Sequence, residues 1–218
     1  MSATRQAPSS IRLVAFDLDG TLIRADTCCE AIARPLGRLA RMREFERYTT
    51  RAEIAAARAE MATWYGDTPH ADLCAPLAAV ALAPGAREGF RLLRERGIAT
   101  AIVSSTWEFA VAWFARELGA DHYVGTGLAA DGRIAHFWPE DKARWLTALT
   151  GRLGVDLADV AAVGDSSGDV PLLRIVGTPF FVGHTLPAGL AAVAQRPDGD
   201  IGRIARGIIG TQEGARDE

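Results

Sequence analysis

The stretch IRLVAFDLDGTLI, residues 11–23, decides how this chain folds. Ile11–Phe16 is a compact run rich in aliphatic side chains, too short for a core helix and bounded at once by acidic residues and Gly20. Such a run predicts a buried strand that delivers polar groups at its carboxyl end. Asp17 and Asp19 alternate along that end, so their carboxylates can point to the same side. Gly20 lets the chain turn sharply immediately afterwards.

Outward from this strand, the pattern changes twice. From about Asp26 to Leu82 the sequence is rich in Ala, Arg and Glu at helical spacing, with no convincing strand. Beyond Pro84 helices and strands alternate: a helix over Gly85–Arg96, a strand over Ile98–Val103, a helix over Trp107–Leu118. A hairpin follows, Tyr123–Leu128 and Arg133–Phe137 about Asp131-Gly132. Then come a helix over Glu140–Arg152, a strand over Val160–Val163, helical residues Gly168–Val176, a short strand Phe180–Val182 and a final helix near Ile201–Ile209. Strands separated by helices of this length imply right-handed crossovers and a parallel sheet. The expected architecture is therefore α/β, with a core of residues 11–24 and 83–210, a helical cap of residues 25–82 inserted after the first strand, and tails at 1–10 and 211–218.

Bulk composition narrows the function. The 218 residues are 49% hydrophobic and 23% charged, an ordinary globular balance. A formal net charge of −3 offers no basic footprint for nucleic acid. No apolar run approaches the roughly 20 residues needed to span a bilayer, and the polar start MSATRQAPSS does not read as a signal peptide. Cys28, Cys29 and Cys74 match no zinc or redox spacing, which fits a reduced, cytoplasmic protein. Trp107 and Trp113 fit either a core or an interface, so oligomeric state stays open.

In open α/β sheets ligands bind beyond the carboxyl ends of the strands. Four such ends or nearby loops carry distinctive residues: Asp17 to Thr21, Ser104 to Thr106, Lys142, and Gly164 to Asp169. Phosphoryl transfer needs a nucleophile in line, a divalent metal to neutralise charge and a proton donor for the leaving oxygen. Asp17 suits the first role. Asp19 suits the last, protonating the alkoxide and then deprotonating the water that hydrolyses the acyl phosphate. Ser104 offers a hydroxyl to a phosphoryl oxygen, with Ser105 or Thr106 also placed to cap the following helix. Lys142 supplies a fixed positive charge, and Asp165 a hard oxygen suited to magnesium. Asp169 fits either that cluster or a helix N-cap.

Taken together, the strings FDLDGTL, IVSS, DK and VGDSSGD, in this order between Ile11 and Val182, resemble the haloacid dehalogenase superfamily, most of whose members are phosphatases. The resemblance implies a Rossmann-like sheet with helices on both faces and a cap between the first and second motifs. It implies Mg²⁺ held by the Asp17 carboxylate, the Asp19 backbone carbonyl and the Asp165 carboxylate, with Asp169 in the metal's surroundings. It also implies a phosphate held by Ser104, Ser105 and Lys142, with Asp19 and Gly20 alongside. The substrate would be a small phosphorylated metabolite, processed through a phosphoaspartate. A phosphotransferase or mutase would use the same residues. A dehalogenase needs no acid–base residue two positions after the nucleophile and no metal, so Asp19 and Asp165 argue against it.

The position of the helical insert looks most like the phosphoserine-phosphatase-like branch. There an acidic residue soon after the first motif meets the substrate's amino group, and Asp26 falls at that position, where it fits a helix N-cap near Thr27 equally well. Three departures bear on substrate. Ser105 and Thr106 stand where that branch usually has two glycines, and Gly168 stands where it usually has Asn. Met61 falls in the register of the cap arginine that clamps a substrate carboxylate, with Arg58 a turn away. Asp26, Arg58 and Met61 are thus the candidate substrate contacts, and Trp64, Tyr65 and Phe45 are further candidates for lining the cap.

Overall fold

The computed structural model of the chain describes residues 10–190 and 193–214. The first strand, β1 (Leu13–Phe16), is buried along its whole length. After a tight turn the chain forms β2 (Ile23–Arg24) and enters a run of helices: α1 (Cys28–Ala33), α2 (Leu39–Phe45), α3 (Arg51–Tyr65) and the single turn α4 (His70–Leu73). It returns through β3 (Ala81–Leu82), which pairs antiparallel with β2. This two-stranded ribbon is the neck through which the helical insert leaves and rejoins the core. Thr27 and Thr50 begin α1 and α3 with reciprocal capping boxes to Glu30 and Glu53, so both helix starts are written locally.

The remainder alternates. It comprises α5 (Ala86–Glu95), β4 (Ala99–Trp107), α6 (Glu108–Leu118), β5 (His122–Leu128), β6 (Ile134–Ala135), α7 (Pro139–Leu153), β7 (Val160–Gly164), α8 (Val170–Leu173), β8 (Thr178–Phe181), β9 (Ala194–Gln195) and α9 (Ile201–Gly214). Among the described residues, seven strands form one sheet in the order β6-β5-β4-β1-β7-β8-β9. Every pairing in it is parallel except the β5–β6 hairpin.

Period-two alternation in the central strands assigns side chains to two apolar layers. Val14, Phe16, Ile102, Ala161 and Val163 face one side, where Phe90 and Leu93 of α5, Val111 and Phe114 of α6, and Ile204 and Ile208 of α9 cover them. Leu13, Ala15, Ala101, Val103, Val160 and Ala162 face the other, against Leu146 and Leu149 of α7 and Leu172 and Leu173 of α8. Each large side chain so buried contributes about 1.5–3 kcal/mol relative to exposure. The register sets Phe16 beside Ile102 on one flank and Val163 on the other. β1 and β7 therefore end within one residue of each other, while β4 continues beyond them.

The structure departs from the sequence reading in several places, beginning with β3, a strand inside the stretch from Asp26 to Leu82 expected to hold none. β4 does not stop at Val103: it runs on through Trp107, with its register on β5 shifting after Val103. Ser105 and Thr106 consequently lie on strand and cap no helix; Trp107 occupies the N-cap position of α6 without a side-chain bond. The short strand β9 carries no alternation of its own and forms only by adding to β8. At the C-terminus, α9 runs to Gly214, into the expected tail, and its first part lays an apolar stripe of Ile201, Ile204, Ala205, Ile208 and Ile209 on the core. Residues 1–9 and 215–218 lie outside the described residues.

Candidate active site

Three strand ends and one helix start meet at a single point. Asp17 follows β1, Ser104 lies on the last part of β4, Asp165 follows β7, and Lys142 sits in the first turns of α7. Pro139 opens α7 at its first helical position, and Asp141 accepts the Trp138 N–H at 2.8 Å, which fixes where the helix begins and so where Lys142 points.

The Lys142 Nζ donates to Asp17 Oδ1 at 2.7 Å and to Asp169 Oδ1 at 2.6 Å. All three are buried, with relative exposures of 3% for Lys142, 5% for Asp17 and 0% for Asp169. The other oxygen of Asp169 accepts from the Asp165 N–H, the Ser166 N–H and the Ser166 hydroxyl, each at 3.1 Å. Asp169 is thus both the anchor of Lys142 and the cap of its own turn. Asp165 accepts from the Thr21 hydroxyl at 3.1 Å.

One oxygen from each of Asp17, Asp165 and Asp169 falls within 4.8 Å of the others. Three carboxylates against one ammonium leave two negative charges uncompensated in a buried place, which suits a divalent cation with oxygen ligands. Burial, followed by the charge of Asp169, pushes the Asp17 carboxyl well above the ordinary carboxylate range against the opposing pull of Lys142. Burial and Asp169 likewise raise Asp165. Burial lowers the Lys142 ammonium, but Asp17 and Asp169 outweigh it and the net displacement is upward, so the ammonium stays charged.

Asp19 belongs to the same cleft but faces differently. Its Oδ1 accepts the Cys28 N–H at 2.7 Å, at the first turn of α1, and its carboxylate is not one of the clustered three. Burial raises its pKa despite the lowering by Cys28. Gly20 adopts φ +86°, and a Cβ there would run into the Asp165 carboxylate, so only glycine fits. At Gly164 a Cβ would meet Asp169 Cβ at 2.5 Å, which explains a second obligatory glycine.

Asp17, Asp19 and Lys142 floor a cleft of about 290 Å³ between core and cap. Ser104, Ser105 and Thr106 form one wall, and Ser166 and Gly168 another. The Ser104 hydroxyl accepts the Thr106 N–H at 3.2 Å. The cap contributes Met42, Phe45, Tyr48, Ile54, Arg58 and Met61. Trp64 does not line the cleft: it stacks behind Phe45 with ring centroids 5.5 Å apart. Tyr65 packs edge-on against Trp107 instead.

Of the sequence-derived substrate candidates, two reach the cleft and one does not. Met61 lines it. Arg58 does as well, but its guanidinium is committed to the protein. Nη2 donates to the Ser105 carbonyl at 2.8 Å and the Phe137 carbonyl at 3.3 Å, Nη1 donates to His136 Nδ1 at 3.2 Å, and the group lies over the Trp138 ring. Asp26 is placed elsewhere. Thr27, not Asp26, caps α1, and the Asp26 carboxylate pairs with Arg34 at 2.6 Å outside the cleft. The acidic cap residue that does line the cleft is Glu46, which accepts the Thr27 hydroxyl at 2.9 Å. Cys29 also lines it, 3.3 Å from the Thr106 hydroxyl, with burial pushing its thiol far up. Neither carries a motif; helical spacing placed them only on some face of α1 and the end of α2.

Residues 14–174 match the model of the haloacid dehalogenase-like hydrolases, and the chain belongs to that family. It is 26% identical over 184 residues to the phosphoserine phosphatase of Polaromonas sp., covering 78% of each chain. It is 33% identical over 185 residues to protein CicA of Caulobacter vibrioides, covering 75% of this chain and 82% of that one. A solved substrate-bound phosphoserine phosphatase superposes with a TM-score of 0.70 at 20% identity, over 85% of this chain and 93% of the other. Sequence relatives and fold together put the chain in the phosphoserine-phosphatase-like branch.

Proposed function

We propose that this hydrolase removes phosphate from a small phosphorylated metabolite, using Asp17 as nucleophile and Asp19 as acid–base partner, with Mg²⁺ as its metal. The observation that carries the reading is the Lys142 ammonium bridging Asp17 and Asp169 in a buried cleft that also holds Asp19 and Ser104. Asp17, Asp165 and Asp169 fit a divalent ion, to which the Asp19 backbone carbonyl adds a further oxygen in this reading. Such an ion, when bound, neutralises the phosphoryl charge and keeps Asp17 ionised.

The steps then follow from the side chains. Lys142 holds Oδ1 of Asp17 and leaves the second carboxylate oxygen free to attack phosphorus in line. Ser104, Ser105 and Lys142 hold the phosphoryl oxygens, with Asp19 and Gly20 bordering the same space. As the ester P–O bond breaks, Asp19, whose raised pKa lets it carry a proton, protonates the leaving alkoxide. Asp19 next takes a proton from water. That water attacks the phosphorus of the acyl phosphate, releasing inorganic phosphate and restoring the Asp17 carboxylate. The reduced cysteines support placing this activity in the cytoplasm.

A screen of phosphomonoesters with Mg²⁺ tests the reading. Phosphate release is expected to vanish on EDTA addition and to fall to background in Asp17→Asn. Robust turnover in Asp17→Asn would overturn the nucleophile assignment, and metal-independent halide release from a 2-haloacid would overturn the reaction class.

A further inference from the structure

The cap is rich in arginine, and four of its carboxylates are claimed by it. Asp26 pairs with Arg34, Glu30 with Arg43, and Glu44 and Glu60 both with Arg41, at 2.6–3.1 Å. Glu46 differs. Among the described residues it has no ion-pair partner, and the Thr27 hydroxyl steadies one oxygen at the rim of the catalytic cleft. The cleft wall around it is apolar, made by Met42, Phe45, Tyr48, Ile54 and Met61. A carboxylate left unpaired at the mouth of an apolar cleft is complementary to a cation on the incoming ligand.

The cap cation that lines the cleft, Arg58, is not equivalently free. The Nη1 and Nη2 atoms of Arg58 are engaged by His136 and two backbone carbonyls, and its plane is stacked on Trp138. A fork already occupied by protein acceptors is a poor clamp for a substrate carboxylate.

We propose that Glu46 recognises an ammonium group on the leaving alcohol, and that the preferred substrates are monophosphates of amino alcohols with an apolar chain and no carboxylate. This rests on the phosphatase reading above. Asp26, which faces away from the cleft, takes no part in it.

The test compares 3-aminopropyl phosphate, propyl phosphate and O-phosphoserine as substrates with Mg²⁺. The wild-type enzyme is expected to favour 3-aminopropyl phosphate in kcat/KM. Its preference over propyl phosphate should shrink about tenfold in Glu46→Gln, equivalent to about 1.4 kcal/mol, and persist in Asp26→Asn. A preference within twofold of wild type in Glu46→Gln overturns the proposal, as does better turnover of propyl phosphate or O-phosphoserine by the wild type. Calorimetric binding of the two alkyl phosphates to Asp17→Asn and to Asp17→Asn/Glu46→Gln separates the layers of the argument. A Glu46-dependent preference in binding without hydrolysis by the wild type retires the phosphatase reading and leaves the role of Glu46 standing. Hydrolysis without that preference retires Glu46 alone.

Discussion

Lys142 and Asp17 lie 125 positions apart and form a 2.7 Å ion pair with side chains only 4% and 7% exposed. The pair does not neutralise its surroundings, because Asp165 and Asp169 crowd the same space. The site is therefore strained electrostatically toward a second cation, and several expectations come from that imbalance.

Removing the ammonium leaves buried carboxylates with no cation beside them. In Lys142→Ala we expect kcat to fall by about 10²–10³ and folding stability at neutral pH, without metal, to drop by about 3 kcal/mol. Urea unfolding and steady-state kinetics measure the two separately. Near-wild-type values of both would show that Lys142 is dispensable.

Metal binding should couple to pH. Asp17 and Asp165 have folded pKa values raised above the ordinary carboxylate value near 3.8, chiefly by burial. A raised acid favours the folded state while protonated, so that contribution is complete below pH 3.8 and is lost as pH climbs through the folded values. The metal-free protein should thus lose stability from these groups on going from about pH 4 towards neutrality, where the unpaired carboxylates best attract a divalent ion. Mg²⁺ should raise Tm more at pH 7.5 than at pH 5, and much less in Asp165→Asn. Thermal unfolding across a pH and Mg²⁺ series checks it; a pH-independent increment would contradict the assigned ligands.

Arg58 ties the cap helix α3 to the β4 strand end and to the segment that leads into α7. Arg58→Ala should cost about 1–2 kcal/mol, since Ser105 and Phe137 keep the Thr126 hydroxyl as a partner. Its kcat should fall too, because Ser105 adjoins Ser104 and Trp138 begins the helix that carries Lys142. Arg58→Lys retains charge but not the planar fork, and should recover little of either property. Full rescue by lysine would show that charge alone matters.

Ala25 is the non-glycine residue with positive φ among the described residues, at +72°, directly between β2 and the cap. A left-handed backbone costs an L-residue about 1–2 kcal/mol, partly offset in glycine by greater unfolded-state entropy. Ala25→Gly should therefore stabilise the protein by up to about 1 kcal/mol, seen as a higher urea midpoint with unchanged slope. A lower midpoint would mean that this turn is not strained.

Local chemistry made much of this molecule legible in its sequence. The apolar β1 and β7, the helices between them and the strings around Asp17, Ser104, Lys142 and Asp165 each declare themselves within a few residues, because burial on both faces of a parallel strand needs an unbroken apolar run. The parallel pairing then forces strand ends to meet, and the structure brings those four residues to one point.

The cap was different. Asp26 and Glu46 are both acidic residues in helical sequence, and nothing within either segment says which lines the cleft. The capping box of Thr27 turns Asp26 outward to Arg34, while the packing of α2 on α1 delivers Glu46 to Thr27, 19 positions away. Arg58 likewise found carbonyls 47 and 79 positions distant. Sequence alone determined where β1 and β7 lie and that Asp17 and Asp165 follow them, since an unbroken apolar run marks a strand buried on both faces. Only tertiary structure decided the cap wall of the cleft. An amphipathic helix specifies that it buries a stripe, whereas its rotation and height over the cleft depend on every helix packed beside it.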